Sequence, residues 1–199
     1  MSNPWDQPPF PTSGDPDDAI TYEGVGRVVS HWESLEFELA RLYTLFRGDP
    51  DGELLLDPKG YGSGRIFQER LKILNGAAEK FFLSNPAQNF EGGFSRIVNA
   101  VLGFADRRND VAHGTVMPLE NNSWVMHRFG KPKGGPPRQF LLVPPLHVVR
   151  KHEDGVPKYA YSSAELKTLA DNLILLWGGI SDYRKALLAH QMKGPPARP

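Results

Sequence analysis

The heptapeptide Arg108-Asn109-Asp110-Val111-Ala112-His113-Gly114 sets a permanent cation, an amide and a titratable imidazole at the close of an apolar stretch. Phe90, Phe94, Ile97, Val101 and Phe104 recur at spacings of four, three, four and three, and the next inward position of that helical stripe falls on Arg108. A guanidinium at such a place must be paired or hold an anion, because burying an uncompensated charge is expensive. Asn109 and His113 are four apart and share a helix face, while the long side chain of Arg108 can reach over the helix end. A cation, an amide and an imidazole are the parts that cleave RNA without a metal. The imidazole exchanges a proton with the attacking 2′-hydroxyl or the leaving 5′-oxygen, and the guanidinium holds the phosphate. The amide would orient the imidazole or a phosphate oxygen.

The same residues admit a structural use. Basic side chains in the last turn of a helix are favoured by its dipole, by about 0.3–1 kcal/mol each, and His-Gly is an ordinary helix ending with Gly114 as a left-handed cap. In that reading Arg108 pairs with a carboxylate such as Glu33, Glu36 or Asp106. Other polar groups are weaker candidates. Lys59-Gly60-Tyr61-Gly62-Ser63-Gly64-Arg65 lacks the strand context and the ending of a phosphate-binding loop, and reads as a linker with Ser63 as N-cap of the next helix. His31, Glu33 and Glu36 read as a solvated helix face, and His147 and His152 as loop residues. Trp32 and Trp177 read as core. No metal site and no cofactor are expected.

The elements that would position the heptapeptide follow from apolar periodicity. Val25, Val28, Trp32, Leu35, Leu39, Leu42 and Phe46 draw a three-four seam along a first helix from about Thr21, stopped by Gly48-Asp49-Pro50. A second helix starts near Ser63, with Phe67, Leu71, Leu74, Ala78 and Phe81 on one face, and a third runs from about Asn89 to His113. A last helix opens at Ser162 with Glu165 three residues on, the pattern of a capping box, and carries Leu166, Leu169, Leu173, Leu176, Ile180, Tyr183 and Leu187 as its seam. Gly178-Gly179 would permit a close approach or a bend. Between the last two helices, Trp124–Phe129, Gln139–Val143 and Lys158–Tyr161 read as short strands separated by Gly- and Pro-rich turns. The expected fold is mainly α, a four-helix bundle with a β-hairpin or small sheet inserted between helices 3 and 4.

The 199 residues are long enough for one sizeable core. Pro4, Pro8, Pro9, Pro11 and Pro16 mark residues 1–18 as a disordered or surface-draped arm, followed by a single helical domain over 19–192 with an insertion at 115–161 and a loose tail at 193–199. There is no cysteine, no signal-like N-terminus and no membrane-length apolar run, so a soluble cytoplasmic protein is expected. A net charge of zero argues against coating nucleic acid by bulk electrostatics. Residues 124–158 are locally basic, however, and Trp124, His127 and Arg128 on the expected hairpin could stack on and guide a single strand, with Arg107 as a further cation for substrate.

Arg108-Asn109-x-x-Ala112-His113-Gly114, closing the third helix of a four-helix domain, resembles the HEPN superfamily (higher eukaryote and prokaryote nucleotide-binding domains). Its signature is an Arg, a polar residue, a few further residues and a His. The resemblance covers about residues 21–114 and 162–190. It implies Arg108 and His113 as a catalytic pair with Asn109 as the polar residue after the Arg, in a metal-independent endoribonuclease whose site forms where two copies meet in a homodimer. It also implies RNA as substrate, a toxin or defence role with an antitoxin partner, or, for members without activity, a dimerisation, partner-binding or nucleotide-binding module.

Overall fold

The computed structural model describes residues 3–119, 139–145 and 147–192. It is mainly helical: α1 (Asp18–Phe46), α2 (Phe67–Ser84), α3 (Gln88–Ala112) and α4 (Ser163–Met192). Between α3 and α4 lie β1 (Thr115–Pro118), β2 (Phe140–Val143), β3 (His152–Glu153) and β4 (Val156–Pro157). Among the described residues no helix is long and apolar enough to cross a membrane. The chain groups into two compact units. The first draws on Met1–Trp32 and Gly103–Leu173, the second on Glu33–Leu102 and Ile174–Pro199.

In the first unit the small sheet is organised by β2. Thr115 to Pro118 pair antiparallel with Val143 to Phe140 on one edge. On the other edge Phe140 exchanges backbone hydrogen bonds with Asp15, and Leu142 with Tyr161. All four β2 residues are therefore buried, which is why the strand is apolar throughout instead of alternating. Leu141 and Val143 pack with Leu119 and Ala160, and Phe10 and Met117 close over them. Of the expected strand at Lys158–Tyr161 only Tyr161 pairs. The neighbouring hairpin is instead β3–β4, turned by Asp154 and Gly155, both left-handed at φ 49° and 78°. Two such residues make the turn whose twist matches a two-residue hairpin.

Residues 3–17 lie on this unit by specific contacts. Trp5 meets Phe104 edge-on with ring centroids 5.8 Å apart, over Gly103, where any Cβ would overlap the indole. Asp15, buried, accepts hydrogen bonds from Thr21 Oγ1 (2.7 Å), Ser163 N (2.8 Å) and Ser163 Oγ (2.6 Å). It fastens the starts of α1 and α4 to the edge of β2. Proline content shows only that this arm cannot be helical; the carboxylate that anchors it finds its partner 148 residues away. The start of α4 is the expected capping box: Glu165 Oε2 accepts from the Ser162 amide (2.8 Å) and hydroxyl, and Ser162 Oγ accepts from Ala164 N (3.2 Å).

In the second unit Phe46 at the end of α1 packs on Phe81, Phe82 and Phe94, with centroids 5.1–5.6 Å apart. The α1 seam from Leu35 to Phe46 is buried as its spacing requires. Its flanks are not a solvated face, however. Glu36 is buried against Arg70 Nε at 2.6 Å, and Glu38 against Arg184 Nε at 2.6 Å. Helix α2 starts at Phe67, after Ile66, rather than at Ser63. Ser63 Oγ donates to the Gly60 carbonyl inside a separate 3₁₀ turn, while Glu69 reaches back to the Arg65 amide. Trp177 is 41% exposed, and among the described residues nothing lies within 4 Å of where a Cβ at Gly178 or Gly179 would sit, so no close neighbour there requires the glycine pair.

The Asp15 contacts set a stability test. Asp15→Ala leaves the Ser163 amide and two hydroxyls without their acceptor, and a urea melt should show a loss of about 2–4 kcal/mol. A loss below about 0.5 kcal/mol would mean the arm is not fastened by this carboxylate.

Candidate functional site

The last turn and a half of α3 divides into two faces. Val101, Phe104 and Ala105 are buried, and the buried side continues through Asp110 and Val111, which are 7% and 1% exposed. Arg108, the next position of the apolar stripe, is half-buried at the flank, Asn109 is half-buried, and Ala112 and His113 are exposed. At about 100° per residue, placing residues 110 and 111 inward turns 109, 112 and 113 outward. Arg108 Nη1 donates a long hydrogen bond of 3.4 Å to Asn109 Oδ1. The His113 amide closes the helix on the Asn109 carbonyl at 3.2 Å.

The buried charge of the motif is thus the acid, which the sequence alone did not single out. Asp110 Oδ2 lies 3.2 Å from Arg107 Nη1 and Oδ1 accepts from Lys151 Nζ at 3.0 Å. Lys151 Nζ also donates to the Tyr159 hydroxyl at 3.1 Å and sits 5.3 Å from the centroid of that ring. Tyr161 stacks obliquely on Tyr159 at 5.5 Å. A carboxylate in the last turn of a helix faces the negative end of the dipole, and two cations offset that penalty. Lys151 reaches Asp110 because the β3–β4 hairpin bonds the Lys158 amide to the Lys151 carbonyl at 2.9 Å. Burial first, and the Asp110 carboxylate second, push both the Tyr159 and Tyr161 phenols up from their ordinary range.

Gly114 departs from the expected left-handed cap, since its φ is not positive. A glycine is needed there for space: a Cβ would lie 2.7 Å from the Leu142 side chain on β2. The helix closes instead through a tight turn, Gly114 N to Val111 O at 3.2 Å.

Among the sequence candidates, the structure brings Arg108 and Asn109 together and leaves His113 at the solvent beside them in sequence. It assigns Arg107 to the Asp110 cluster. Glu36, one of the proposed carboxylate partners for Arg108, pairs with Arg70. Trp124, His127 and Arg128 lie outside the described residues. Among the described residues no group of three or more His, Asp or Glu side chains is placed to hold a metal ion. Asp110 had one local signal, an acid three after an Arg on a helix, but its second cation is 41 residues distant.

Two measurements check this cluster. Asp110→Asn leaves Arg107 and Lys151 facing each other, and should lower the unfolding free energy by about 3 kcal/mol in a denaturant melt. A change under about 0.5 kcal/mol would reduce the cluster to screened surface charge. The phenols give a pH signature. Their folded pKa values lie above the unfolded value of about 10, so the stability they lend is intact below that pH and is lost as pH rises above it. In an alkaline titration Tyr159 and Tyr161 should ionise only together with unfolding, and Tyr159→Phe/Tyr161→Phe should remove two phenols from that late step; early, reversible ionisation of all tyrosines in folded protein would contradict it.

Comparison with models of protein families, with curated proteins and with solved structures finds no match for this chain.

Proposed function

We propose that the outward face of the α3 terminus is the active site of a HEPN-like, metal-independent endoribonuclease that works as a homodimer. One observation carries the reading: His113 is exposed at the helix end, one turn past Asn109, whose side chain accepts from Arg108, while Asp110 on the same turn is engaged by Arg107 and Lys151. In this scheme His113 takes the proton of the 2′-hydroxyl as its oxygen attacks phosphorus. The bond from phosphorus to the 5′-oxygen breaks, and that oxygen receives a proton, leaving a cyclic 2′,3′-phosphate and a 5′-hydroxyl. Arg108 holds the non-bridging oxygens, where charge builds. Asn109 orients that guanidinium through the observed hydrogen bond, so its role falls on the cation rather than the imidazole. The second copy supplies a second Arg-His pair to the same groove. A toxin or defence role with an antitoxin partner, and a cytoplasmic location, belong to this proposal.

A second reading is a non-catalytic dimerisation, partner-binding or nucleotide-binding module. It is favoured by the Asp110 cluster, which gives the neighbouring charges of the motif a structural use.

Incubating the purified chain with mixed RNAs in excess EDTA should yield cyclic-phosphate ends, and His113→Ala should slow cleavage by about 10²–10⁴-fold. Equal cleavage by wild type and variant, or intact RNA with both across salt and pH, removes the nuclease reading. If, in addition, Arg108→Leu melts far below wild type, the structural reading takes its place.

A further inference from the structure

Helix α4 carries a second seam that its own core does not use. On the side opposite Leu173, Ile180 and Leu187, the residues Leu175, Gly178, Asp182, Lys185, Ala189 and Met192 recur at spacings of three, four, three, four and three. All six lie in the second unit, and the seam stays at the surface: Leu175 and Met192 at its ends are 74% and 81% exposed, and Ile174 and Trp177 widen its first turn with two more exposed apolar side chains. Apart from Asp182 and Lys185 the face is apolar or glycine, whereas a helix side meant for water is mostly polar and charged. Glycine is the poorest residue for a helix interior after proline, and among the described residues nothing lies within 4 Å of where a Cβ at Gly178 would sit, so packing within the chain does not call for it.

The order along the seam is the same read from either end: long apolar, small, charged, charged, small, long apolar. The spacings are palindromic too, so an identical helix laid antiparallel on this face sets Leu175 against Met192, Gly178 against Ala189 and Asp182 against Lys185, each pair twice. The charges choose this arrangement. A parallel pairing in register would put Asp182 on Asp182 and Lys185 on Lys185, whereas the antiparallel one joins two Asp182–Lys185 pairs, each 3.5 Å apart within its own helix, into a ring of alternating sign. Gly178 and Ala189 on either side of that ring let the backbones approach at the short end of the usual interaxial distance of about 8–10 Å. A partner of different sequence would need no such symmetry.

We infer that this outer face of α4 is an interface between two copies of the chain, packed antiparallel about a two-fold axis that crosses the helix midway between Asp182 and Lys185. From Leu175 to Met192 the contact is about 26 Å long, and at a helix width of about 10 Å it covers on the order of a few hundred Å² on each copy. That is well below the figure of about 800 Å² per partner of a standard interface, so the pairing is weak and rises with concentration. The inference does not rest on the ribonuclease reading, since none of Arg108, Asn109 and His113 lies on this face. A chain with both contacts would build a larger assembly from two separate isologous interfaces.

Sedimentation equilibrium of the full chain from micromolar to millimolar concentration tests it. Wild type should associate reversibly, and Asp182→Lys or Lys185→Asp alone should weaken association about tenfold or more by setting like charges together. Mixing the two variants should restore it, because the basic chain then faces the acidic one. Both positions are exposed, so each variant should melt as wild type does. The chain has no cysteine, so Leu175→Cys and Met192→Cys check the orientation: with a short bismaleimide the two variants should cross-link to each other and neither to itself. The inference is overturned if wild type is monomeric throughout, which would leave the face to a different partner, if either charge variant associates as well as wild type, if their mixture associates no more tightly than its parts, or if Leu175→Cys cross-links with itself as readily as with Met192→Cys.

Discussion

The carboxylate of Asp110 is the constraint from which the rest of the first unit can be followed. A buried acid at the negative end of a helix is unfavourable on two counts, desolvation and the dipole, and it persists only with cations supplied from close by. One comes from the same helix, Arg107 at three residues' distance. The other, Lys151, comes from the segment leading into β3, so neutralising the acid also fixes where that segment runs. The β3–β4 turn returns the chain as Tyr159 and Tyr161, which pack on the cluster, and Tyr161 pairs with Leu142 of β2. With β2 drawn in this way, Leu142 fills the space that a side chain at residue 114 would need. A charge, a hairpin, a strand pairing and a glycine are thus links of one chain of consequence.

That chain also explains what was legible beforehand. The seams of α1 and α4, the capping box at Ser162-Glu165 and the strand Phe140–Val143 could be read because each is a local pattern enforced by burial or by a helix end. The buried charges could not. Glu38 meets Arg184 across 146 residues and Asp15 meets Ser163 across 148, so the sequence offers only isolated polar residues with no sign of their partners. Periodicity assigned Glu36 to a wet face for the same reason, and it assigned Trp177 to the core because an aromatic on a seam is usually covered. The Asp154-Gly155 turn is a different kind of miss. Its dipeptide is a strong local hairpin signal, but the flanking strands are two residues each and carry almost no alternation.

The heptapeptide itself was half legible. The stripe through Phe94, Val101 and Phe104 pointed to Arg108 as the next inward residue, and Arg108 is indeed partly covered. What the stripe could not show is that the helix rotates its burial onto Asp110 and Val111 as it meets the sheet. A motif read as a row of letters treats all its charges as one set. In three dimensions Arg107 and Asp110 serve the interior, whereas Asn109 and His113 face away from it.

This division bears on whether the outward face can act on an anion at all. A helix C-terminus is negative, and an uncompensated Asp110 would add a full negative charge within the same turn, repelling phosphate from Arg108 and His113 alike. With Arg107 and Lys151 bound to it, the cluster carries one positive charge instead of one negative. The inward face therefore does more than hold the helix end in place: it reverses the local sign of charge beneath the residues proposed to work on RNA.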